Sequence, residues 1–303
     1  MMELDDTTVC GYVAIVGRPN VGKSTLLNHI LGEKLSITSR KPQTTRDRVL
    51  GVKTMGSIQT VYVDTPGMHI KEIRAMNRYM NRVAKRALHD VDVVVFVVEG
   101  LKWTEEDQFV LDKIQAVQCP VILVINKVDV LAEKNQLLPH LKWLSLRFNF
   151  FDILPISARR KTNIVALEQV INKCLPKGPH YFPETQTTDR TPRFRIAELI
   201  REQVLRGLGA ELPYTTAVEI EKLDSETIVK ISAIIWVERN AQKPIVIGKE
   251  GERLKEIGTR ARIGIEKMLG KKVHLRLWVR VREGWSNDER AMKSLGYFDL
   301  EED

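Results

Sequence analysis

The first half of the chain carries short apolar runs separated by segments of helical periodicity. The runs are Val13–Val16, Val61–Val63, Val93–Val98, Val121–Ile125 and Ile153–Ile156. Runs this short and this apolar are typical of strands that a parallel sheet buries on both faces. The pattern therefore predicts an α/β domain with a mostly parallel sheet.

Two helices are predicted among and after these strands. Thr104–Asp107 combines an N-capping residue with an acidic first turn, and apolar residues follow at helical spacing. A later helix places Leu167, Val170, Ile171 and Cys174 on one face. Since an unpaired cysteine packs as a small hydrophobic residue, we expect Cys174 in the core.

The alternation stops in residues 176–192. This segment contains Pro176, Gly178, Pro179, Pro183 and Pro192. Prolines at this density do not continue helices or central strands. We interpret the segment as a linker between a first domain of residues 1–175 and a second domain of residues 193–303.

The second half follows a different order of elements, α-β-β-α-β-α. The predicted elements are a helix over residues 194–208, strands over Tyr214–Ile220 and Ile228–Val237, a helix after Gly251, a strand over Val273–Val281 and a helix near Asn287. This order does not repeat the first half. The chain is therefore predicted to join an α/β domain to an α+β domain.

Composition narrows the class of protein without choosing one. The 303 residues are 43% apolar and 28% charged, and 47 Lys and Arg against 39 Asp and Glu give a net charge of +8. These values exclude a disordered chain and permit an anionic partner. The three cysteines lack disulfide or zinc spacing, no apolar run approaches the about 18 residues of a membrane span, and the acidic N-terminus does not resemble a signal peptide. We therefore expect a cytoplasmic protein.

Residues 17–24 read GRPNVGKS and lie between a predicted strand and an amphipathic helix. This G-x-x-x-x-G-K-S pattern lets backbone N–H groups surround phosphate oxygens, places Lys23 at the β- and γ-phosphates and offers Mg²⁺ the Ser24 hydroxyl. The alternative is a glycine-containing turn with an ordinary surface lysine. The predicted phosphate-binding residues are Gly17, Arg18, Pro19, Asn20, Val21, Gly22, Lys23, Ser24 and Thr25.

A second polar motif, Asp64-Thr65-Pro66-Gly67, ends another predicted strand. Asp64 at this position can hold Mg²⁺ through its water shell, and the Gly67 N–H can meet a γ-phosphate. Alone the motif could equally be a turn, because Asp, Pro and Gly all favour turns.

Two further motifs at strand ends point to a guanine base. In Asn126-Lys127-Val128-Asp129, the Asp129 carboxylate can accept from guanine N1–H and the 2-amino group together, whereas adenine offers neither donor. An unpaired buried polar group costs about 1 to 3 kcal/mol, so Asp129 would select between the purines. Ser157-Ala158 after the fifth strand could supply a backbone donor to guanine O6. The four motifs together predict GTP or GDP binding.

These motifs resemble those of the translation-factor class of GTPases, and Lys41–Asp47 resembles the switch I segment of that class. The resemblance implies a Mg²⁺-binding threonine there, Thr45 with Thr44 as the alternative, so that the implied Mg²⁺ ligands are Ser24, Thr45 and Asp64. It also implies catalytic roles for Asn20, Lys23, Thr45 and Gly67. A solvated polar loop is the other interpretation of residues 41–47.

Met68 occupies the position after Gly67 where many GTPases have a glutamine that orients the attacking water. A methionine cannot hold a water for attack, so either hydrolysis is slow or another group positions the nucleophile. Families with an apolar residue here and an asparagine like Asn20 are often activated by K⁺. K⁺ activation is therefore a hypothesis for this chain.

Residues 246–254 read VIGKEGERL and resemble the I-G-x-x-G-x-x-L loop of a KH domain, within an element order like the type II arrangement. The glycines let RNA backbone approach closely, and the helix that follows presents its N-terminus to phosphate. We expect a strand ending at Ile247 before this loop. The predicted RNA-binding residues are Gly248, Lys249, Glu250, Gly251, Arg253 and Lys255.

Charge is concentrated around this loop. Residues 239–282 contain 13 Lys and Arg against 4 Asp and Glu, whereas the whole of 193–303 contains 21 against 19. This favours a phosphate-binding surface, although a simple glycine turn and a solvated charged helix face remain alternatives. Trp278, in the last predicted strand, fits a core or sheet-face position as well as base stacking.

Taken together, the two halves resemble the Era family of bacterial ribosome-assembly GTPases over essentially the whole chain. Further likenesses are Gly209–Tyr214 and Trp285–Arg290. The resemblance implies a monomeric GTP-hydrolysing switch that binds the 3′ end of 16S ribosomal RNA during small-subunit maturation and associates peripherally with the inner membrane. The alternatives are an RNA-binding protein whose GTP does not turn over and a membrane-surface GTPase.

Overall fold

The computed structural model describes residues 8–39, 41, 44–70, 72, 74–208, 215–225 and 227–297. The chain forms two compact units. The first holds the described residues within 1–36, 45–72 and 79–189, and the second those within 37–44, 73–78 and 190–303. Pro42 and Gln43 of the predicted switch I lie outside the described residues, as does the likeness over Gly209–Tyr214.

A six-stranded sheet forms the centre of the first unit. Its strands are β1 (Val9–Val16), β2 (Val49–Met55), β3 (Ile58–Asp64), β4 (Val93–Glu99), β5 (Val121–Asn126) and β6 (Asp152–Pro155), in the spatial order β2-β3-β1-β4-β5-β6. All neighbours are parallel except β2 and β3. The mostly parallel sheet is therefore confirmed, and the antiparallel edge strand β2 is an element that the apolar runs did not predict.

Helices of the first unit cover this sheet. They are α1 (Lys23–Leu31), α2 (Ala75–Arg86, of which residues 79–86 belong to this unit), α3 (Glu105–Ile114), α4 (Leu137–Ser145) and α5 (Ile164–Cys174). Thr104 caps α3 as predicted, because its hydroxyl accepts from the Asp107 N–H while the Asp107 carboxylate accepts from the Thr104 N–H. The carboxyl ends of β1, β3, β4, β5 and β6 meet at one edge of the sheet, where α/β folds bind ligands.

The proline-rich segment lies against the first unit. The Cys10 N–H donates to the Pro176 carbonyl over 3.1 Å, and the Val52 N–H donates to the Thr187 carbonyl over 2.8 Å. The Thr188 hydroxyl donates to the Leu50 carbonyl over 2.7 Å. The segment therefore pairs with β2, an edge strand that would otherwise present unpaired backbone groups.

The second unit packs helices on one face of a three-stranded sheet. Its elements are α6 (Pro192–Gly207), β7 (Ala217–Ser225), β8 (Val229–Val237), α7 (Lys243–Ile247), α8 (Glu252–Leu269), β9 (Val273–Val281) and α9 (Glu289–Ser294), with the sheet order β7-β8-β9. The core joins Ile196 and Ile200 of α6, Ile257 and Ile265 of α8 and inward residues of the sheet. This α+β unit confirms the predicted fold class of the second half.

One local prediction is wrong, since the residues before the glycine loop form α7 and not a strand. Pro244 lies in the first turn of α7, where a helix needs no N–H donor but a sheet would lose one. The short apolar run over residues 245–247 fits either structure. Within the described ranges, no helix has both the length and the apolar character needed to cross a membrane.

Candidate functional site

The loop between β1 and α1 requires glycine at two places. Gly17 has φ +151°, and a Cβ there would lie 2.4 Å from the Val97 carbonyl oxygen. Gly22 has φ +107°, and a Cβ there would lie 2.3 Å from Asn126 Nδ2. The loop therefore lies tightly against β4 and β5, and α1 begins directly behind it at Lys23, so that its free N–H groups face the loop.

Lys23 is buried inside this loop. Its Nζ donates to the carbonyls of Gly17 and Arg18 over 2.9 and 3.1 Å, and 6% of the residue is exposed. Burial lowers the pKa of Lys23 to about 8, against the opposing effect of Asp64. The ammonium is thus held in a place with little water, where the phosphate oxygens of a bound nucleotide would stabilise its charge.

Three oxygen-bearing side chains meet beside Lys23. The hydroxyl oxygens of Ser24 and Thr45 are 2.8 Å apart, and the Thr45 hydroxyl donates to Asp64 Oδ2 over 3.5 Å. Among the described residues, the buried Asp64 Oδ1 has no hydrogen-bond partner, and burial raises the pKa of Asp64. Thr44 differs, because its hydroxyl donates to the Lys41 carbonyl. Hydroxyl and carboxylate oxygens are the ligands that Mg²⁺ prefers, so this group of side chains fits that ion.

The segment after β3 packs closely on the phosphate loop. The Thr65 hydroxyl donates to the Ile15 carbonyl over 2.9 Å, Pro66 is buried, and a Cβ at Gly67 would lie 2.7 Å from the backbone nitrogen of Pro19. Met68 is 2% exposed and packs in a hydrophobic cluster with Val16 and Phe96. Its side chain therefore points into the core and not toward a reacting water.

The residues predicted to recognise guanine lie together. Asn126 Nδ2 donates to the Val21 carbonyl over 2.8 Å, and Asn126 Oδ1 accepts from the N–H groups of Lys127 and Ala158 over 2.7 and 2.9 Å. Asp129 Oδ1 accepts from the Ser157 hydroxyl over 2.6 Å. Asn126 thus joins the loops after β1, β5 and β6, which fixes Asp129 and the Ala158 backbone in one place.

An ion network connects the phosphate loop to the base-binding loop. Arg18 donates to Glu99 over 3.0 Å and to Asp107 over 3.1 Å, and Lys127 Nζ lies 3.2 Å from Glu99. Burial acts to raise the pKa of Glu99, but Lys127 and Arg18 outweigh it, and the pKa lies below its ordinary value. Glu99 lies outside the motifs recognised in the sequence, although an acidic residue at the end of a buried strand on the ligand-binding edge is a signal that could identify it.

The glycine loop of the second unit follows α7 and ends at the start of α8. Gly248, Glu250 and Gly251 have φ of +77°, +51° and +81°, and a Cβ at Gly248 would lie 2.7 Å from Arg253 Cβ. Lys249, Glu250 and Lys255 are exposed. Arg253 donates to the Ile245 carbonyl, so its guanidinium braces the loop.

Two open cavities adjoin this loop, with volumes of about 710 and 390 Å³. The larger one is lined by Gly248, Lys249, Glu252, Arg253, Lys255, Glu256, Thr259 and Arg260. The smaller one is lined by Gly251, Leu254, Lys255, Gly258, Thr259, Arg262, Leu275 and Leu277. Gly251 and Lys255 of the second set were predicted, but the apolar floor and Arg262 beside them were not, because no local motif joins α8 to β9.

Comparisons with known proteins agree with this geometry. A family profile described as "50S ribosome-binding GTPase" matches residues 12–127, and one described as "KH domain" matches residues 211–286. GTPase Era of Marinobacter nauticus is 58% identical over 292 residues, covering 96% of each chain, and GTPase Era of Pseudomonas aeruginosa (strain PAO1) is 59% identical with the same coverage. The chain belongs to the Era family.

Solved Era structures extend the match to three dimensions. Era of Aquifex aeolicus bound to GDP·AlF₄⁻ has a TM-score of 0.93 at 39% identity, covering 96% of this chain and 99% of that one. Era in complex with MgGDPNP and nucleotides 1506–1542 of 16S ribosomal RNA has a TM-score of 0.92 at 40% identity, with the same coverage. Membership of the Era family makes this chain a GTP-hydrolysing enzyme with a KH domain, which confirms the family resemblance seen in the sequence.

Proposed function

We propose that this Era-family GTPase is a switch that binds the 3′ end of 16S ribosomal RNA and acts in small (30S) ribosomal subunit assembly and rRNA maturation. One observation carries the proposal: a nucleotide-binding edge and a KH loop occur in a single chain whose solved relative holds MgGDPNP and 16S nucleotides. In this scheme GTP orders switch I and the segment after Asp64, contact with the RNA domain changes, and hydrolysis resets the protein.

In the proposed nucleotide site each group has a separate task. The backbone of residues 17–25 and Lys23 bind the phosphates, and the Gly67 N–H meets the γ-phosphate. Asp129 accepts from guanine N1–H and the 2-amino group, and the Ala158 N–H donates to O6. Asn126 and Lys127 position that loop, because Asn126 already bonds to three backbone segments.

Ser24, Thr45 and Asp64 would hold Mg²⁺, since their oxygens converge and Asp64 Oδ1 is buried without a partner among the described residues. When bound, the ion neutralises charge that develops on the β- and γ-phosphate oxygens. We assign Thr45, not Thr44, because the Thr45 hydroxyl lies beside Ser24 and Asp64, whereas the Thr44 hydroxyl faces the Lys41 carbonyl.

The nucleophile must be positioned by something other than Met68, which lies in the core. We propose that Thr45, Gly67, Lys23 and a K⁺ ion held by Asn20 supply this positioning. Asn20 is exposed in the phosphate loop with φ +63°, so its side chain is available on the solvent side. Equal hydrolysis rates in Na⁺ and K⁺ buffers would remove K⁺ from the proposal.

The proposed RNA site comprises the glycine loop and its cavities. The exposed cations Lys249 and Lys255 would attract phosphate, the backbone at Gly248, Glu250 and Gly251 would approach it closely, and Arg253 would hold the loop in shape. Crosslinking of the full chain in cells, with the contacted nucleotides read out, tests the partner. Contacts concentrated at the 3′ end of 16S rRNA are expected, and contacts spread evenly over unrelated RNAs would refute the proposal.

We further propose that the chain acts as a cytoplasmic monomer with peripheral inner-membrane association, and that its domains are residues 1–175 and 193–303. The positive charge around the glycine loop would also suit anionic lipid. Cosedimentation with anionic vesicles, with and without competing RNA, tests the membrane part, and an absence of vesicle binding without RNA would contradict it.

A further inference from the structure

Strand β9 carries two different surfaces. Val273 and Val279 face the core with α6 and α8, and Leu275 and Leu277 pack against that core from the same side of the strand. The alternate residues His274, Arg276, Trp278 and Arg280 are all exposed. Because side chains of a strand alternate between the faces of a sheet, these four residues stand in one row on the face that the helices leave uncovered.

Trp278 lies at the middle of this row with 39% of its surface exposed. Arg276 and Arg280 flank it at two-residue spacing, which places them about 6.6 Å away along the strand. Across the ladder Trp278 pairs with Ile234 of β8, and His274 pairs with Lys230. A large aromatic ring is therefore presented to solvent between two guanidinium groups.

Charge is divided across this face of the sheet. Strand β9 contains no acidic residue, whereas the acidic residues of the face lie on β7, at the other edge. Glu219 of β7 accepts from Trp236 Nε1 over 2.8 Å, and Glu221 lies 3.9 Å from Arg280. The β9 edge is thus the positive side, and an anionic partner would align along it.

This row is separate from the cavities beside the glycine loop. The β9 residues that line the smaller cavity are Leu275 and Leu277, whose side chains lie on the opposite face of the same strand, and the larger cavity is lined by no residue of β9. Since β9 is an edge strand, a chain leaving the cavities can pass round it and reach the row without crossing another strand.

We propose that the exposed row of β9 is a second RNA-binding surface, on which a single-stranded segment stacks a base on Trp278 and places phosphates on Arg276 and Arg280. The combination is the one that single-strand binders use, an aromatic platform that tolerates any base beside cations that follow the backbone. The inference rests on the proposed RNA-binding function and extends it to a surface outside the glycine loop.

The test uses the full chain and single-stranded RNAs from the 3′ end of 16S rRNA. One RNA has about 6 nucleotides, close to the roughly four that a KH loop clamps, and one has about 20, enough to reach a second surface. Trp278→Ala and the pair Arg276→Ala with Arg280→Ala are compared with Trp143→Ala, a control tryptophan that is also 39% exposed. We expect each β9 variant to bind the longer RNA at least about fivefold more weakly and the shorter RNA unchanged.

Trp278→Phe should retain most of the affinity for the longer RNA, because a phenyl ring still stacks. This variant keeps the test valid if Trp278→Ala misfolds. In the wild type, the longer RNA should quench indole fluorescence that Trp278→Phe lacks. Unchanged affinity for the longer RNA, or equal loss for both lengths, would overturn the inference. Loss of binding to phosphatidylglycerol vesicles with RNA affinity intact would assign the row to lipid and also overturn it. Failure of the wild type to bind the shorter RNA would instead remove the proposed function itself.

Discussion

Two glycine loops of this chain each lead into a helix, but the lysines beside them lie in opposite environments. Gly22 precedes α1 and Gly251 precedes α8, both with positive φ. In the first loop the lysine is buried and bonded to backbone carbonyls. At the second loop, Lys249 and Lys255, the latter in the first turn of α8, are exposed to solvent. A glycine with positive φ before a helix thus forms part of a closed site in one unit and of an open surface in the other.

This difference predicts how each site responds to its surroundings. A buried charge is screened little by salt but depends on pH, because burial moves its pKa. Exposed cations release counterions when they bind phosphates, so their contribution falls with salt. The buried charge suits specific binding of one small ligand. The exposed cations suit binding of a long polyanion with little dependence on its sequence.

Removing the buried lysine should have the largest effect. Lys23→Ala deletes charge-assisted contacts to phosphate, worth about 3 kcal/mol, so nucleotide affinity should fall about 100-fold. RNA affinity measured without nucleotide should stay unchanged, because the exposed loop is intact. Titration with a fluorescent guanine nucleotide measures the loss, with Lys173→Ala in α5 as an exposed lysine control. Nucleotide affinity equal to wild type would contradict the assigned role of Lys23.

The pH dependence of nucleotide binding should be nearly as large. Since burial lowers the pKa of Lys23 to about 8, the nucleotide-free protein loses this charge above pH 8, while phosphate oxygens favour the charged form. Affinity should be nearly constant below pH 7.5 and fall up to about tenfold per pH unit above 8. Calorimetry in buffers of different ionisation enthalpy should show uptake of nearly one proton at pH 9 and little at pH 7. Equal proton uptake at both values would refute this.

The exposed loop should give a smaller loss of a different kind. Lys249→Asp combined with Glu250→Asp puts two carboxylates on the loop, and these repel the RNA backbone. Affinity for a 16S 3′-end RNA should fall about tenfold, and the slope of log affinity against log salt should decrease in magnitude by about 1. Nucleotide affinity should not change. Lys293→Asp in α9 is the matched exposed control, and an unchanged RNA affinity in the loop variant would contradict the KH interpretation.

The smallest effect is expected at the network between the nucleotide-binding loops. Glu99→Gln leaves Arg18 with Asp107 but removes the charge partner of Lys127. A partly exposed ion pair is worth up to about 1 kcal/mol, so nucleotide affinity should fall about fivefold with kcat at saturating GTP unchanged. Glu105→Gln, at an exposed position of α3, should change neither. A fall in kcat with unchanged affinity would show that Glu99 acts on the reaction step and not on binding.

The sequence predicts the closed site better than the open one. The residues proposed to bind phosphate and guanine lie within short motifs at strand ends, so the motifs and the predicted parallel sheet together place Lys23, Asp64, Asn126 and Ser157 at one edge. Glu99 is not predicted from the sequence, because its partners Arg18 and Lys127 lie far away in the chain. Such contacts depend on the order of strands in the sheet, which no local pattern states.

The open surface depends on packing between distant elements. The floor formed by Leu254, Leu275 and Leu277 appears only when α8 lies on β9. The sequence wrongly predicts a strand where α7 forms, because three apolar residues fit both structures. The sequence also predicts that Trp278 lies in a strand, but the face that it occupies depends on the core that Val273 and Val279 join.

Single-turnover GTP hydrolysis by the full chain, with and without a 16S 3′-end RNA, tests the proposed switch most directly. We expect hydrolysis with Met68 in the core, a rate that changes when RNA is bound, and loss of that RNA effect in the variant with Lys249→Asp and Glu250→Asp. No turnover under either condition would contradict the proposed switch. A hydrolysis rate that RNA does not change would contradict it as well, because it would show that the nucleotide site and the RNA site are not coupled.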